Sequence, residues 1–388
     1  MNVAVIGHGV VGSGVCEILL NSKSVLSEKV NKDVCLKYIL DIRDFDNLSY
    51  KNLFVKDFSV IENDEDVDVV VEAMGGLNPA YDFVKRCLLK GKSVVTSNKE
   101  LVAEKGIELL EIAKEKGVHF LFEASVGGGI PIIRPLMTSL NSNSVKEIAG
   151  ILNGTTNFIL TKMFGEDMSF DTALKLAQDL GYAERDPSAD VDGFDACRKI
   201  SILAAMAFGV RVSPKDIPTE GIRSLTLENV RGAEKLGFRI KLIGRAKKLD
   251  NGEIEIAVSP ALVSDTSPLS VINDVFNGVF VRGDYVGDTM FYGRGAGKLP
   301  TASAVVSDVL NCAQKPSNPI LWKDACECDL AKAQTDKRYY LELKNVPENL
   351  VAQSKFFEND VWHVVTAPMN FADVEKIDAM SKIVVLEY

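Results

Sequence analysis

The chain has 388 residues, of which 46% are hydrophobic and 25% charged, with a formal net charge of -10 at pH 7. That length exceeds what one hydrophobic core fills, so two or three domains are expected. An apolar run long enough to cross a bilayer is missing, and the opening MNVAVIGHGV resembles neither a secretory leader nor a transit peptide, so no membrane partner and a cytoplasmic location are expected. The acidic balance argues against nucleic acid as a partner, because phosphate binding needs a basic footprint, while a local pocket for a small anion stays compatible with it.

Residues 2–6, Asn-Val-Ala-Val-Ile, read as a short buried strand, followed at once by Gly7-His8-Gly9-Val10-Val11-Gly12 and a helical run through Val15, Ile18 and Leu19. Apolar runs at 34–40 and 67–71 end in Asp41-Ile42-Arg43 and Glu72-Ala73-Met74-Gly75-Gly76. A helix near 79–89, a strand at 93–96, a helix from about Lys99 and a strand at 119–126 complete an alternation that predicts a parallel sheet covered on both faces. After Gly127-Gly128-Gly129, Pro131 and Pro135 mark a crossing into a second domain. There 170–180 fits an amphipathic helix with Phe170, Ala173, Leu174, Ala177 and Leu180 on one face, Ser169 as N-cap and Gly181 as C-cap. A buried helix is expected over 194–208, strands over 239–263 and 279–292, a helix over 300–314, and strands at 338–343 and 382–387. No repeat of 20 to 50 residues is present.

G-x-G-x-x-G carries meaning here because it joins the first strand to the first helix. Gly7 permits the tight turn, Gly9 lets a pyrophosphate approach the backbone and Gly12 lets helix and strand pack, with Val10 and Val11 completing the turn. At the end of the second strand a carboxylate suits the ribose hydroxyls of NAD and an arginine suits the added phosphate of NADP. Asp41, Arg43 and Asp44 all stand there, so both cofactors stay open, with Arg43 inclining the reading to NADP.

None of the three histidines sits in an acid/base constellation, so proton exchange falls to lysines and carboxylates. Lys99 follows the 93–96 strand, at the sheet edge where ligands bind. Lys199 follows Asp195 at i+4, a spacing that by itself suggests a surface ion pair. Its helix looks buried, however, and desolvation or a second cation such as Lys99 would lower its pKa. The preceding stretch, GYAERDPSADVDGFDACRK over 181–199, crowds Glu184, Asp186, Asp190, Asp192 and Asp195 together. It could be a surface patch, a metal loop or part of an active site. It lacks the EF-hand pattern, and Asp190 and Asp195 around Gly193 suit helix capping and lysine binding better than an enclosed ion. Seven cysteines, without C-x-x-C spacing, read as reduced core thiols; only Cys326 and Cys328 are close enough to suggest a metal or an oxidised pair.

The pattern Ala177-x-x-x-Gly181-Tyr182-Ala183-x-x-Asp186-Pro187-x-x-Asp190-Val191-x-Gly193-x-Asp195-x-x-x-Lys199 resembles the signature of homoserine dehydrogenases. SNKELVA around Lys99, FEASVGGGIPII at 122–133, LNGTTNFIL at 152–160 and FYGRGAGKLPTASAVVSDV at 291–309 agree with it, so the resemblance covers about residues 1–315. It implies an NAD(P)-dependent interconversion of L-homoserine and L-aspartate 4-semialdehyde, a step toward threonine, isoleucine and methionine. The implied fold is α/β: a Rossmann-type parallel-sheet nucleotide domain at 1–130, completed by about 295–318, a mixed α/β substrate and dimerisation domain at 131–294, and a short ACT-like extension at 335–388. By the same resemblance Glu184 would hold the substrate ammonium, with Gly181, Tyr182 and Asp190 in the substrate loop; Asp195 would orient the substrate and Lys199 would donate the proton. Lys99 would lie beside nicotinamide and substrate. Arg43, Met74, Gly75, Ser97 and Gly297 would join the glycine turn in holding the cofactor. A monovalent cation, usually sodium, would be held by main-chain oxygens at Glu123, Val126, Gly128 and Ile130, and the implied assembly is a homodimer or homotetramer.

The final stretch departs from the family's longer members, whose regulatory ACT domain is a βαββαβ module. Tyr339-Tyr340-Leu341-Glu342-Leu343 fits a first strand, but about 50 residues remain and the usual Pro-Gly turn reads Pro347-Glu348-Asn349, so threonine feedback is not implied. Two other readings remain: an aspartate-semialdehyde dehydrogenase, which needs a nucleophilic cysteine, and a nucleotide-binding regulatory protein without catalysis.

Overall fold

The computed structural model describes residues 1–316, 320–326, 329–331 and 335–388, and Cys328, one of the close cysteine pair, lies outside them. The chain folds as two compact units. Unit 1 comprises 1–142, 201–213 and 293–324; unit 2 comprises 143–200, 214–292 and 325–388. No helix among the described residues is long and apolar enough to cross a membrane.

Unit 1 is built on six parallel strands, β1 (Asn2–Ile6), β2 (Cys35–Leu40), β3 (Phe54–Val55), β4 (Val67–Glu72), β5 (Ser93–Thr96) and β6 (Phe120–Leu121), in the order β3-β2-β1-β4-β5-β6. This is the doubly wound order in which ligands bind beyond the strands' carboxyl ends, where the order reverses at β1 and β4. Val3 to Ile6 and Val69 to Val71 are buried almost completely, as expected for strands covered on both faces. The helices are α1 (Val10–Asn21), α2 (Lys23–Val30), α3 (Phe58–Asn63), α4 (Ala80–Leu89), α5 (Lys99–Lys116) and α6 (Ile133–Met137). The strand expected at 119–126 stops at Leu121. Beyond it Glu123 turns its carboxylate onto the amides of Ile132, Ile133 and Arg134 at 2.6, 2.8 and 2.8 Å, which draws the chain out of the sheet into a short turn.

Unit 2 carries a nine-stranded sheet. With β8 (Val210–Arg211) and β13 (Lys323–Asp324) forming a separate parallel pair in unit 1, its strands are β7 (Val145–Ile151), β9 (Phe238–Lys248), β10 (Ile254–Ser264), β11 (Phe276–Gly283), β12 (Gly287–Arg294), β14 (Arg338–Leu343), β15 (Ala352–Glu358), β16 (Val361–Thr366) and β17 (Ser381–Leu386). They run in the order β12-β11-β7-β9-β10-β17-β14-β16-β15. Helices α7 (Gly154–Gly165), α8 (Phe170–Asp179), α9 (Ser188–Val191), α10 (Phe194–Phe208, as far as Ile200 in this unit) and α11 (Leu227–Lys235) belong to it. The Ser169 hydroxyl caps α8 by accepting from the Thr172 amide at 3.2 Å, and Gly181 follows at φ +74°. Leu180, expected on the buried face, is half exposed, because it lies past the last helical turn.

Helix α12 (Lys298–Asn311) returns to unit 1 and lies on α1 at Gly14, where a Cβ would come within 2.9 Å of the Lys298 carbonyl oxygen. The last four strands join unit 2 through β17, which runs parallel to β10, and are antiparallel among themselves. One helix, α13 (Phe371–Glu375), lies in this stretch, and the connection from β14 to β15 is not helical. Helix α11 approaches these strands at Gly232, where a Cβ would stand 2.2 Å from the Tyr340 hydroxyl and 2.4 Å from His363 Nδ1. Gly232→Ala should therefore destabilise the protein by about 1–3 kcal/mol, the usual range for overpacking a filled interior. Urea unfolding checks this, and an unchanged midpoint would contradict the packing described.

Candidate active site

The acidic segment is sorted by its partners. In α10, the Lys199 ammonium donates to Asp195 Oδ2 at 2.7 Å and to the Leu152 carbonyl at 2.8 Å, and both side chains are buried. The Asn153 amide nitrogen donates to Asp195 Oδ2 at 2.9 Å and to Asp190 Oδ1 at 2.7 Å, while its oxygen caps α7 at the Thr156 amide. Burial, then the neighbouring Asp195 charge, raises the Asp190 pKa, opposed by Asn153 and Lys199. Asp186 turns onto Ser188 and Asp192 pairs with Arg223, so both are occupied in shaping the loop. Thr155 donates to the Tyr182 carbonyl at 2.8 Å beside Gly181. Glu184 is exposed, and no described side chain bonds its carboxylate. Among the described residues no group of three or more His, Cys, Asp or Glu is placed to hold a metal ion.

In unit 1 the glycine turn joins β1 to α1. Gly7 has φ +94°, a Cβ on Gly12 would meet the Gly7 carbonyl oxygen at 1.8 Å, and a Cβ on Gly9 would meet nothing within 4 Å. Gly7 and Gly12 are therefore needed by the fold, whereas Gly9 faces open space over the N-terminus of α1, whose first residues are Val10 and Val11. Asp41, at the end of β2, accepts from the amides of His8 (2.8 Å) and Arg43 (2.9 Å) and from the Arg43 guanidinium at 3.0 and 2.9 Å. The guanidinium holds the Asp41 carboxyl far below the usual carboxylate range.

At the end of β4, buried Glu72 accepts from the amides of Met74 and Gly75 and from the Thr96 hydroxyl at 2.5 Å; burial raises its pKa and these three donors oppose the rise. Asn98, two residues past β5, donates to the Gly76 carbonyl and caps α5 at the Leu101 amide, which sets Ser97 and Lys99 at the sheet's ligand edge. Gly297, at φ +123°, starts α12 in the same unit.

A family model described as the NAD binding domain of homoserine dehydrogenase matches residues 7–123, and one described as homoserine dehydrogenase matches 131–310. A Synechocystis homoserine dehydrogenase is 46% identical over 319 residues, which are 80% of this chain and 73% of that protein. The chain belongs to the homoserine dehydrogenase family. Its structure is similar to that of a homoserine dehydrogenase from Thiobacillus denitrificans, with a TM-score of 0.88, 33% identity and coverage of 100% of this chain and 98% of that one. A hyperthermophilic archaeal homoserine dehydrogenase, solved in complex with NADPH, matches with a TM-score of 0.70 at 28% identity over 82% of this chain and 99% of that one.

Sequence reasoning missed two organising groups, one in each unit. Glu72 carried the signal of a carboxylate ending an apolar strand, and Asn153 that of an Asn before a helical Gly-Thr-Thr. The loop from Glu123 to Ile130 also gains definition. Glu123's carboxylate is committed to three amides, so only its main-chain oxygen is suited to a cation. The carbonyls of Val126, Gly128 and Ile130 accept no backbone hydrogen bond among the described residues. Gly128 has φ +57°, and a Cβ there would lie 2.3 Å from the Gly295 carbonyl oxygen.

The two glycines separate folding from cofactor binding. Gly9→Ala should leave the thermal midpoint within a degree or so and weaken dinucleotide binding by about tenfold or more, because its methyl meets only the bound pyrophosphate. Gly12→Ala should lower the midpoint by several degrees through its backbone clash. Thermal unfolding and cofactor fluorescence titration measure the two effects, and equal effects of both variants on stability would refute the division.

Proposed function

We propose a division of labour for the NAD(P)-dependent interconversion of L-homoserine and L-aspartate 4-semialdehyde, the activity of this family. Glu184, exposed and unengaged by described side chains, takes the substrate ammonium, with Gly181 and Tyr182 beside it in the loop. Asn153 holds Asp190 and Asp195, and Asp195 with the Leu152 carbonyl aims Lys199. The observation that carries this reading is the buried Lys199–Asp195 pair at 2.7 Å, since a buried ammonium held by fixed acceptors is a positioned proton donor. Bound NAD(P)H supplies the hydride to the aldehyde carbon. Lys199 gives its proton to the aldehyde oxygen as the alkoxide forms, and in the reverse direction takes the homoserine hydroxyl proton.

For the cofactor we favour NADP, held by Gly7, Gly9, Val10, Val11 and Gly12, with Met74, Gly75, Ser97, Lys99 and Gly297 at the remaining loops. The Arg43 guanidinium, though paired with Asp41, is 58% exposed, and the Lys56 ammonium, bonded to the Arg43 carbonyl and paired with Asp44 at 2.8 Å, is 51% exposed beside it. Two cations at that strand end suit a ribose phosphate. The carbonyls of Glu123, Val126, Gly128 and Ile130 are a hard, neutral donor set fit for sodium. For the last four strands an ACT-like reading rests on their order, β17-β14-β16-β15, with one helix kept and the first replaced by a loop. A cytoplasmic homodimer or homotetramer completes the reading.

The cysteine-dependent alternative loses support from Cys197, which lies near the site: it is buried, its thiol donates to the Pro214 carbonyl at 3.3 Å, and burial pushes its pKa up, so it is a poor nucleophile.

Lys199→Ala should cut kcat by about 10²- to 10⁴-fold while leaving cofactor affinity unchanged, and near-normal turnover would remove Lys199 from the reaction. Glu184→Gln should act chiefly on the KM for homoserine. Arg43→Gln should raise the KM for NADP by about tenfold or more and that for NAD far less; steady-state kinetics with each cofactor decides, and equal effects would remove Arg43 from phosphate recognition.

A further inference from the structure

One buried cation in unit 2 has no part in these roles. Arg239 and Lys241 stand two residues apart on β9, hence on the same side of the strand, and both line a cavity of about 260 Å³ within that unit. Lys241 is 3% exposed. Its ammonium donates to the Ile272 carbonyl at 2.5 Å, to Asn157 Oδ1 at 3.1 Å and to Asn273 Oδ1 at 3.3 Å, oxygens that carry no full charge.

No carboxylate among the described residues bonds it. Asp274, in the β10–β11 connection, favours the charged lysine only through space and lies 3.8 Å from Lys162 of α7. Asp265, in the same connection, is exposed at the cavity rim. Glu234 of α11 lies 3.6 Å from Arg239, whose guanidinium covers the Phe164 ring at 3.6 Å. Burying a charge without a counter-ion is costly. Accordingly, burial first and Arg239 second lower the Lys241 pKa to about 7.

We propose that this cavity is a binding site for a small monocarboxylate, whose anionic end bonds the Arg239 guanidinium within the field of the Lys241 ammonium and whose apolar end lies against Phe164 and Val271. The carboxylate supplies the charge that Lys241 lacks. A single negative charge fits better than a phosphate dianion because Asp265 stands at the rim. Binding takes up a proton when Lys241 is neutral, so affinity rises as pH falls through neutrality.

The test uses the full-length enzyme saturated with cofactor and homoserine, which keeps the substrate residues occupied. Propionate is titrated by calorimetry at about pH 6.5 and about pH 8.5, with inorganic phosphate and propionamide as comparison probes. One propionate per chain is expected, about tenfold or more tighter at the lower pH, with net proton uptake. Lys241→Met should abolish the pH dependence and weaken binding at the lower pH by about tenfold or more, while propionamide fails to bind. Arg239→Gln, which touches none of the proposed catalytic groups and should turn over homoserine normally, should also weaken propionate binding; it serves alone if Lys241→Met does not fold. Propionate affinity equal in wild type and Arg239→Gln, affinity independent of pH in wild type, or binding of phosphate in preference to propionate would each overturn the proposal.

Discussion

The side-chain amide of Asn153 is the constraint on which the surroundings of Lys199 in unit 2 depend. The buried Asp195 carboxylate and Lys199 ammonium meet the part-buried Asp190 carboxylate in unit 2, and such a group is stable only when its members are paired. One amide does the pairing: its nitrogen reaches Asp190 and Asp195 together, and its oxygen ends α7. The adjacent Leu152 carbonyl receives Lys199, so the single junction between β7 and α7 supplies both the donor and the acceptor that hold the Lys199–Asp195 pair. Because β7 lies inside a nine-stranded sheet, flanked by β11 and β9, that junction is fixed by ladder hydrogen bonds on either side.

The nucleotide half uses the same device with backbone donors. Asp41 and Glu72 end the two strands that flank β1, and each folds its carboxylate over the loop that follows by accepting main-chain amides. A carboxylate bonded in this way turns the end of a parallel strand into a fixed loop, the condition for placing a dinucleotide to within fractions of an ångström. The donors differ in consequence. Asp41 keeps its charge because a guanidinium lies against it, whereas Glu72 is fully buried and its charge is disfavoured.

The last four strands are continuous with the sheet of unit 2, and a row of buried carboxylates and part-buried cations runs alongside. Glu147 of β7 meets Arg245 of β9, Arg245 meets Glu255 of β10, and Glu255 meets Lys337 just before β14. Each pair would be costly to break because one charge would remain buried alone. In this row the counter-ions alternate, which is what Lys241 lacks two strand repeats away on the same strand.

Local chemistry was legible in the chain itself. The glycine turn, the Ser169 cap, the ends of β1, β5, β14 and α10, and the membership of Lys199, Asp195 and Glu184 in one segment all follow from residues within a few positions of one another, where steric and hydrogen-bonding rules act directly. The strand at 119–126 was misjudged because its apolar pattern says nothing of a Glu123 carboxylate that finds amides nine to eleven residues on. Only the tertiary structure joined Asn153 to partners 37 and 42 positions away, brought the Thr96 hydroxyl to Glu72 from 24 positions away, and left Lys241 without a counter-ion. A residue's partners in charge and hydrogen bonding are set by which distant segments the packed sheet brings within about 3 Å, and that distance is a property of the fold rather than of the spacing along the chain.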